Sequence, residues 1–238
     1  MENLLKISTG NNKLSTRNIL DLPSGLSCPG ALQCKAWVDR IEGKNKIVDG
    51  DEMLFRCYAA SQEVRHNTVY EARRYNFNLI KKALREGNAV ELIDKSLDQN
   101  LRLTRFHSSG DFFSLDYLRA CIRVAELNPK NDFYFYSKSL NFFLDIGLPE
   151  NMFLTASYGG KFDELIHKGY FNRVAYVVNT EEEAKLKGLE IDHDDSHCFK
   201  DKDFALLVHG TQAKGSEAGK AIAERRRKGE FTGYRKKV

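Results

Sequence analysis

Between Leu101 and His209 short β-rich runs alternate with helix-periodic ones, and no other feature limits the architecture as tightly. Strand signals lie at 101–107, 132–137, 152–157, 173–178 and 204–209, and helical patterns at 114–127, 162–168 and 181–187 fall between them. Helices of that length supply the crossovers that parallel strands require. The expected class is therefore α/β: alternating strands and helices in a mostly parallel sheet or incomplete barrel, with the carboxyl ends of the strands gathered on one rim. Upstream, 62–85 is a long helical candidate with Ser61 as its cap and Gly87-Asn88 as its stop, and 89–97 is a second, shorter one. The first section reads as irregular.

That irregular section carries cysteines. Cys28 and Cys34 stand in Ser27-Cys28-Pro29-Gly30-Ala31-Leu32-Gln33-Cys34 and Cys57 in Phe55-Arg56-Cys57-Tyr58, while Cys198 lies far downstream. Thiolates are soft donors that suit zinc and iron-sulfur clusters. The gaps are five residues between Cys28 and Cys34 and twenty-two between Cys34 and Cys57, unlike the tight Cys-x-x-Cys knuckles of zinc sites. Clusters accept widely separated cysteines once a fold collects them, so the expectation is one [4Fe-4S] cluster held by Cys28, Cys34, Cys57 and Cys198, with zinc as the alternative metal. The turn-like Asp192-His193-Asp194-Asp195-Ser196 run would bring Cys198 inward as fourth ligand, with His197, His193 or a small molecule as competitors for that corner. Cys121 sits in a helical pattern beside Leu118 and Val124 and belongs to the core.

The chain has 238 residues, enough to bury a core without disulfide staples, and its five cysteines are expected to be free thiols in a reducing cytoplasm. No apolar run approaches the ~20 residues that span a bilayer, so no membrane association is expected. Residues 1–212 are expected to form a single α/β metal-binding domain and 213–238 a basic helical tail. From Lys214 to Lys237 there are nine Lys or Arg against three Glu, including Arg225-Arg226-Arg227-Lys228, which would suit phosphate contacts with a nucleic acid. A solvated, charged helix explains the same residues.

Polar motifs fall at the expected strand ends: His107-Ser108-Ser109-Gly110-Asp111, Tyr136-Ser137-Lys138-Ser139, Ser157-Tyr158-Gly159-Gly160 and Val208-His209-Gly210-Thr211-Gln212. Clustering at carboxyl ends of strands favours a cleft, with Asp111 accepting hydrogen bonds and Lys138 binding an anion. An enzyme built on Asp111 and Lys138 is thus one reading. The plain alternative makes Asp111 a turn residue and Lys138 a solvated charge.

Gly10-Asn11-Asn12-Lys13-Leu14, Leu22-Pro23-Ser24-Gly25-Leu26-Ser27-Cys28-Pro29-Gly30-Ala31, Phe55-Arg56-Cys57-Tyr58-Ala59-Ala60-Ser61-Gln62-Glu63, His107-Ser108-Ser109-Gly110-Asp111-Phe112 and Tyr136-Ser137-Lys138-Ser139 together resemble the gene product 88 family of phage proteins. The resemblance covers most of 7–216 and implies a phage context, hence the host cytoplasm, without implying a reaction. An early cysteine group followed by a glycine and an acid after the next strand is also similar to radical S-adenosylmethionine barrels. Those hold three cysteines in one Cys-x-x-x-Cys-x-x-Cys loop, whereas here they spread over thirty residues with a possible fourth ligand, so a related scaffold is expected before the chemistry. A fully ligated cluster serves electron transfer to a redox partner, sensing or structural support. The alternative class is a nucleic-acid-binding protein with structural zinc and the basic tail as its contact.

Overall fold

The computed structural model describes residues 3–10 and 16–230, so Asn11 to Leu14 and the end of the basic stretch, 231–238, lie outside the described residues. The fold is α/β. Its main sheet has seven strands, β1 (Asn18–Leu20), β4 (Leu103–Phe106), β5 (Asp132–Ser137), β6 (Met152–Ser157), β7 (Val174–Val178), β8 (Glu190–Ile191) and β9 (Phe204–Leu207), in the order β1-β4-β5-β6-β7-β9-β8. Every neighbouring pair is parallel. The sheet stays open, with β1 and β8 at its edges.

Alternation along the strands sets the two faces. On β5, Phe133 and Phe135 pack with Phe106, Leu118 and Ile80 beneath α2 (Asn67–Glu86), α3 (Ala89–Ser96) and α4 (Leu115–Leu127). Tyr134 and Tyr136 point to the other face, where Tyr134 meets Ala175 and Phe204. The remaining crossovers are short: α5 (Asp163–His167) follows β6 and α6 (Glu181–Leu186) follows β7. Side-chain caps start three of the helices as their sequences dictate, with Ser114 accepting from the Tyr117 amide, Thr180 from the Glu183 amide and Ser216 from the Gly219 amide. Gly87 ends α2 in the left-handed conformation, φ 77°.

Two expectations for the first section need correction. The single helix over 62–85 is two, α1 (Tyr58–Arg65) and α2, broken at His66, whose extended backbone (φ −126°, ψ 100°) no breaker residue announces. Ser61 is consequently a buried residue inside α1, not a cap. The section is also less irregular than its composition suggests. It contains β1 and an antiparallel hairpin, β2 (Ala36–Ile41) and β3 (Lys44–Asp49), turned at Glu42 and Gly43, both at positive φ (51° and 76°) as a tight hairpin demands.

The basic C-terminal segment begins inside the fold. α7 (Glu217–Arg227), capped by Ser216, buries Ala218 and Ile222 against Val208, Phe55 and Val177. Arg225 is buried and donates to the Val208 carbonyl, while Arg226 and Arg227 are exposed. Arg225→Ala is therefore expected to destabilise the protein by about 1–2 kcal/mol in urea unfolding, and Arg226→Ala by less than ~0.5 kcal/mol. Among the described residues no helix is long and apolar enough to cross a membrane.

Candidate functional site

The hairpin explains the cysteine spacing. Ala36 pairs with Asp49, the Gly50 amide donates to the Lys35 carbonyl (2.9 Å), and the Leu54 and Phe55 amides both donate to the Gln33 carbonyl (2.8 and 3.1 Å). The twenty-two residues between Cys34 and Cys57 are thus looped out, and the two cysteines flank the hairpin's base. Cys57 immediately precedes α1 as its N-cap residue, without a side-chain cap bond. Lys35 Nζ donates to the carbonyls of Gly25 (2.7 Å) and Cys28 (2.9 Å), fastening the turn that carries Cys28.

This loop seats on the strand ends. Ala31 forms a bridge with Gly160, the Lys161 amide donates to the Gly30 carbonyl (2.9 Å), and the Gln33 amide to that of Gly159 (3.0 Å). Gly30 lies so close to β5 that a Cβ there would stand 2.1 Å from the Lys138 carbonyl oxygen. Gly110, at φ 95°, leaves no more room: a Cβ would meet Leu22 Cβ and Ser27 Oγ at 2.6 Å.

Between loop and sheet lies a cavity of about 160 Å³. Cys28, Cys34 and Cys57 are among the residues that line it. Carboxyl ends of β4, β5, β6, β7 and β9 also line it, with Val177, Leu206 and Val208 giving apolar surface and the Arg105–Asp195 ion pair polar surface. Tyr58 stacks on His209 with ring centroids 4.5 Å apart and donates to the Ser108 carbonyl. Burial pushes the Cys28 thiol up, reinforced by Asp111, Cys57 and Cys34; burial and Cys34 push Cys57 up to about 12. The three sulfurs therefore repel one another as anions. As thiols Cys28 and Cys57 hold protons that a soft cation would have to displace. Among the described residues no three His, Cys, Asp or Glu side chains are grouped to hold a metal ion.

Cys198 is placed elsewhere. The acidic run does turn inward, but it delivers Cys198 to the inner face of the sheet, packed with Tyr134, Ala175 and Phe204 and outside the cavity lining. Its thiol is pushed up to about 12 by burial and then by Asp195. Cys121 is buried in the α4 core as its pattern predicts. His197 lies between Glu190 (3.1 Å) and Asp192 (3.2 Å), committed to the fold's own carboxylates.

Asp111 and Lys138 both line the cavity, yet their polar atoms are engaged by protein. The Asp111 carboxylate accepts from the amides of Phe112 (2.7 Å), Lys138 (2.9 Å) and Ser139 (3.2 Å) and the hydroxyls of Ser137 (2.8 Å) and Ser139 (3.1 Å). Burial pushes this carboxyl up and those bonds pull it down. Asp111 thus organises the turn after β5. Lys138 Nζ donates to Ser157 Oγ (2.9 Å), the Ser157 carbonyl (3.1 Å) and the Tyr158 carbonyl, which uses all three ammonium donors. It is a buried strand-end tie, not a solvated charge.

Sequence reasoning missed Arg105 and Asp195. The only signal was a lone arginine inside the strand Leu103-Thr104-Arg105-Phe106, and Asp195 was hidden in a run that reads as a turn. His107 also departs from the strand pattern. Its positive φ (65°) turns the ring into the core, against Phe112 (4.7 Å between centroids), with Nε2 bonded to the Tyr117 hydroxyl at 2.9 Å. Burial drives its pKa down from 6.5 to about 3. The unfolded chain therefore binds a proton that the fold refuses between these values, so stability is lost as pH falls from about 6.5 towards 3, by up to ~1.4 kcal/mol per pH unit from this residue. Urea unfolding of His107→Asn, which tolerates the left-handed backbone, is expected to show a shallower acid slope than wild type.

An open parallel sheet with a cysteine-lined cavity at the carboxyl ends of its strands defines an α/β protein of the architecture in which strand ends are the general place of ligand sites. The chain belongs to the Gene product 88 family of phage proteins, whose family model matches residues 3–229. No curated protein and no solved structure matches it.

Proposed function

We propose that this protein is an enzyme that binds one [4Fe-4S] cluster through Cys28, Cys34 and Cys57 and takes a small molecule into the adjoining cavity, where one iron has no protein thiolate. One observation carries this reading: these three cysteines line the cavity and Cys198 does not. A structural zinc site closes all four positions with protein donors, whereas three thiols facing an open cavity suit a cluster with a vacant iron. That vacancy favours chemistry over the support or simple electron transfer expected of a four-cysteine cluster.

The small molecule proposed is S-adenosylmethionine. The order of parts, a cysteine loop after β1 and then Gly110 and Asp111 after β4, is similar to radical S-adenosylmethionine barrels, and the β2–β3 hairpin accounts for the wide cysteine spacing. This step is an analogy of fold and site order. A cluster bound there would supply one-electron reduction, drawing on a redox partner in the host cytoplasm. The chain's own residues do the rest. Lys35 and Gly30 seat the loop, Asp111 holds the rim amides, and Val177, Leu206 and Val208 exclude water beside the Arg105–Asp195 pair. The nucleic-acid alternative is weakened because Arg225 is committed to the Val208 carbonyl.

The test is low-temperature electron paramagnetic resonance on the dithionite-reduced, anaerobically purified protein. Adding S-adenosylmethionine is expected to shift the cluster signal. A cluster signal that the compound leaves unchanged contradicts an open iron facing this cavity.

A further inference from the structure

Arg56, the residue before Cys57, lies in neither helix nor strand, so no ladder satisfies its backbone amide and carbonyl. Gln212, 156 positions away in sequence, satisfies both. Its Oε1 accepts from the Arg56 amide (2.7 Å), and its Nε2 donates to the Arg56 carbonyl (3.0 Å) and to the His209 carbonyl (2.9 Å). One side-chain amide thereby behaves like a neighbouring strand toward this residue while bracing the turn from which it projects.

The residues around Gln212 reinforce the contact. The Thr211 amide donates to Ser61 Oγ (2.8 Å), and Arg65 donates to Thr211 Oγ1 (2.7 Å). Gly210 approaches so closely that a Cβ would lie 3.1 Å from Tyr58 Cα. On its other side Arg56 is gripped through its guanidinium, which donates twice to Asp49 at 2.7 Å, at the end of the hairpin. The stretch leading into Cys57 is thus pinned between the cysteine hairpin and the turn after β9.

We infer that Gln212 is a positioning residue for the metal centre: it fixes the backbone that presents Cys57 to the cavity and ties the third thiol to the last strand of the sheet. Its link to a metal rests on the reading proposed above, but its action on Cys57 does not. Cys28 and Cys34 are held by Lys35 and by the Gly30 and Gln33 backbone contacts, none of which involves Gln212. Loss of the amide should therefore loosen one sulfur selectively.

The experiment is site-resolved alkylation of the metal-free full chain by iodoacetamide, followed by mass spectrometry, in wild type, Gln212→Leu and Gln212→Glu. Leucine keeps comparable bulk without hydrogen bonds; glutamate keeps the acceptor and loses both donors. Cys57 in Gln212→Leu is expected to react about tenfold faster, with Gln212→Glu intermediate and Cys28 and Cys34 changed less than about twofold. Cys121 reports global opening. Unchanged Cys57 labelling, or an equal rise at all the cysteines, overturns the assignment. In protein loaded with iron, Gln212→Leu should also lose metal to a chelator about tenfold faster than wild type. If wild type takes up no iron, the labelling result still decides the role of Gln212, and only the metal reading fails.

Discussion

Replacing Cys28, Cys34 or Cys57 by serine is expected to remove most of the iron bound by anaerobically prepared protein, whereas Cys121→Ser and Cys198→Ser retain it. The first three cysteines line one cavity, and each sulfur is a soft donor that a hydroxyl does not replace. Cys121 and Cys198 are buried in cores, so their variants place a hydroxyl where a thiol packed. At Cys198 that hydroxyl is buried among Tyr134, Ala175 and Phe204, at a cost of about 1–3 kcal/mol and a lowering of Tm by several degrees. Iron analysis and thermal melts on the five variants separate the effects. Loss of iron in Cys198→Ser equal to that in Cys57→Ser would restore the four-cysteine site.

The second large effect needs no change of donor. Gly30→Ala places a methyl 2.1 Å from the Lys138 carbonyl oxygen and 2.7 Å from the Ser139 nitrogen, and both are backbone atoms held by the Asp111 turn. The cysteine loop must lift off the strand ends to admit it. Destabilisation by ~3 kcal/mol or more is expected in urea unfolding, together with loss of iron although every thiol remains. Gly147→Ala, with nothing within 4 Å of the added methyl, is the matched control and should change neither stability nor iron by a measurable amount. A Gly30→Ala protein of wild-type stability and iron content would show that the loop does not depend on this close approach.

The central strands were legible because their residues agree at every level. Asp132–Ser137 and Met152–Ser157 match the aromatic and β-branched runs residue for residue, and the helix that precedes the first of them begins at a real cap, Ser114. What escaped was set by tertiary contacts. β1 is three residues long and becomes a strand by pairing with β4, and β2 and β3 carry Asp39, Arg40, Lys44 and Lys46, which blur the alternation of a two-stranded ribbon. The break at His66 has no glycine or proline to mark it.

At the site, chemistry was legible and distance was not. Residue type identified Cys28, Cys34 and Cys57 as partners, and the fold brings them to one cavity; spacing suggested that they were scattered, because a looped-out hairpin cannot be told from a linker by counting. Cys198 shares their residue type and even turns inward, yet its destination was fixed by packing against Tyr134, Ala175 and Phe204, which no local pattern announces. Asp111 and Lys138 were recognised as strand-end polar residues, but whether their charges were free or spent on neighbouring backbone is decided by contacts 19 to 28 residues away in sequence.

The most direct measurement of the central claim is the metal content of the full chain purified without exposure to oxygen, read as iron, acid-labile sulfide and zinc per chain, alongside the Cys198→Ser variant. About four iron and four sulfide per chain in both proteins, with negligible zinc, is the result the three-cysteine cluster predicts. Stoichiometric zinc without sulfide, or iron present in wild type and absent from Cys198→Ser, would contradict it.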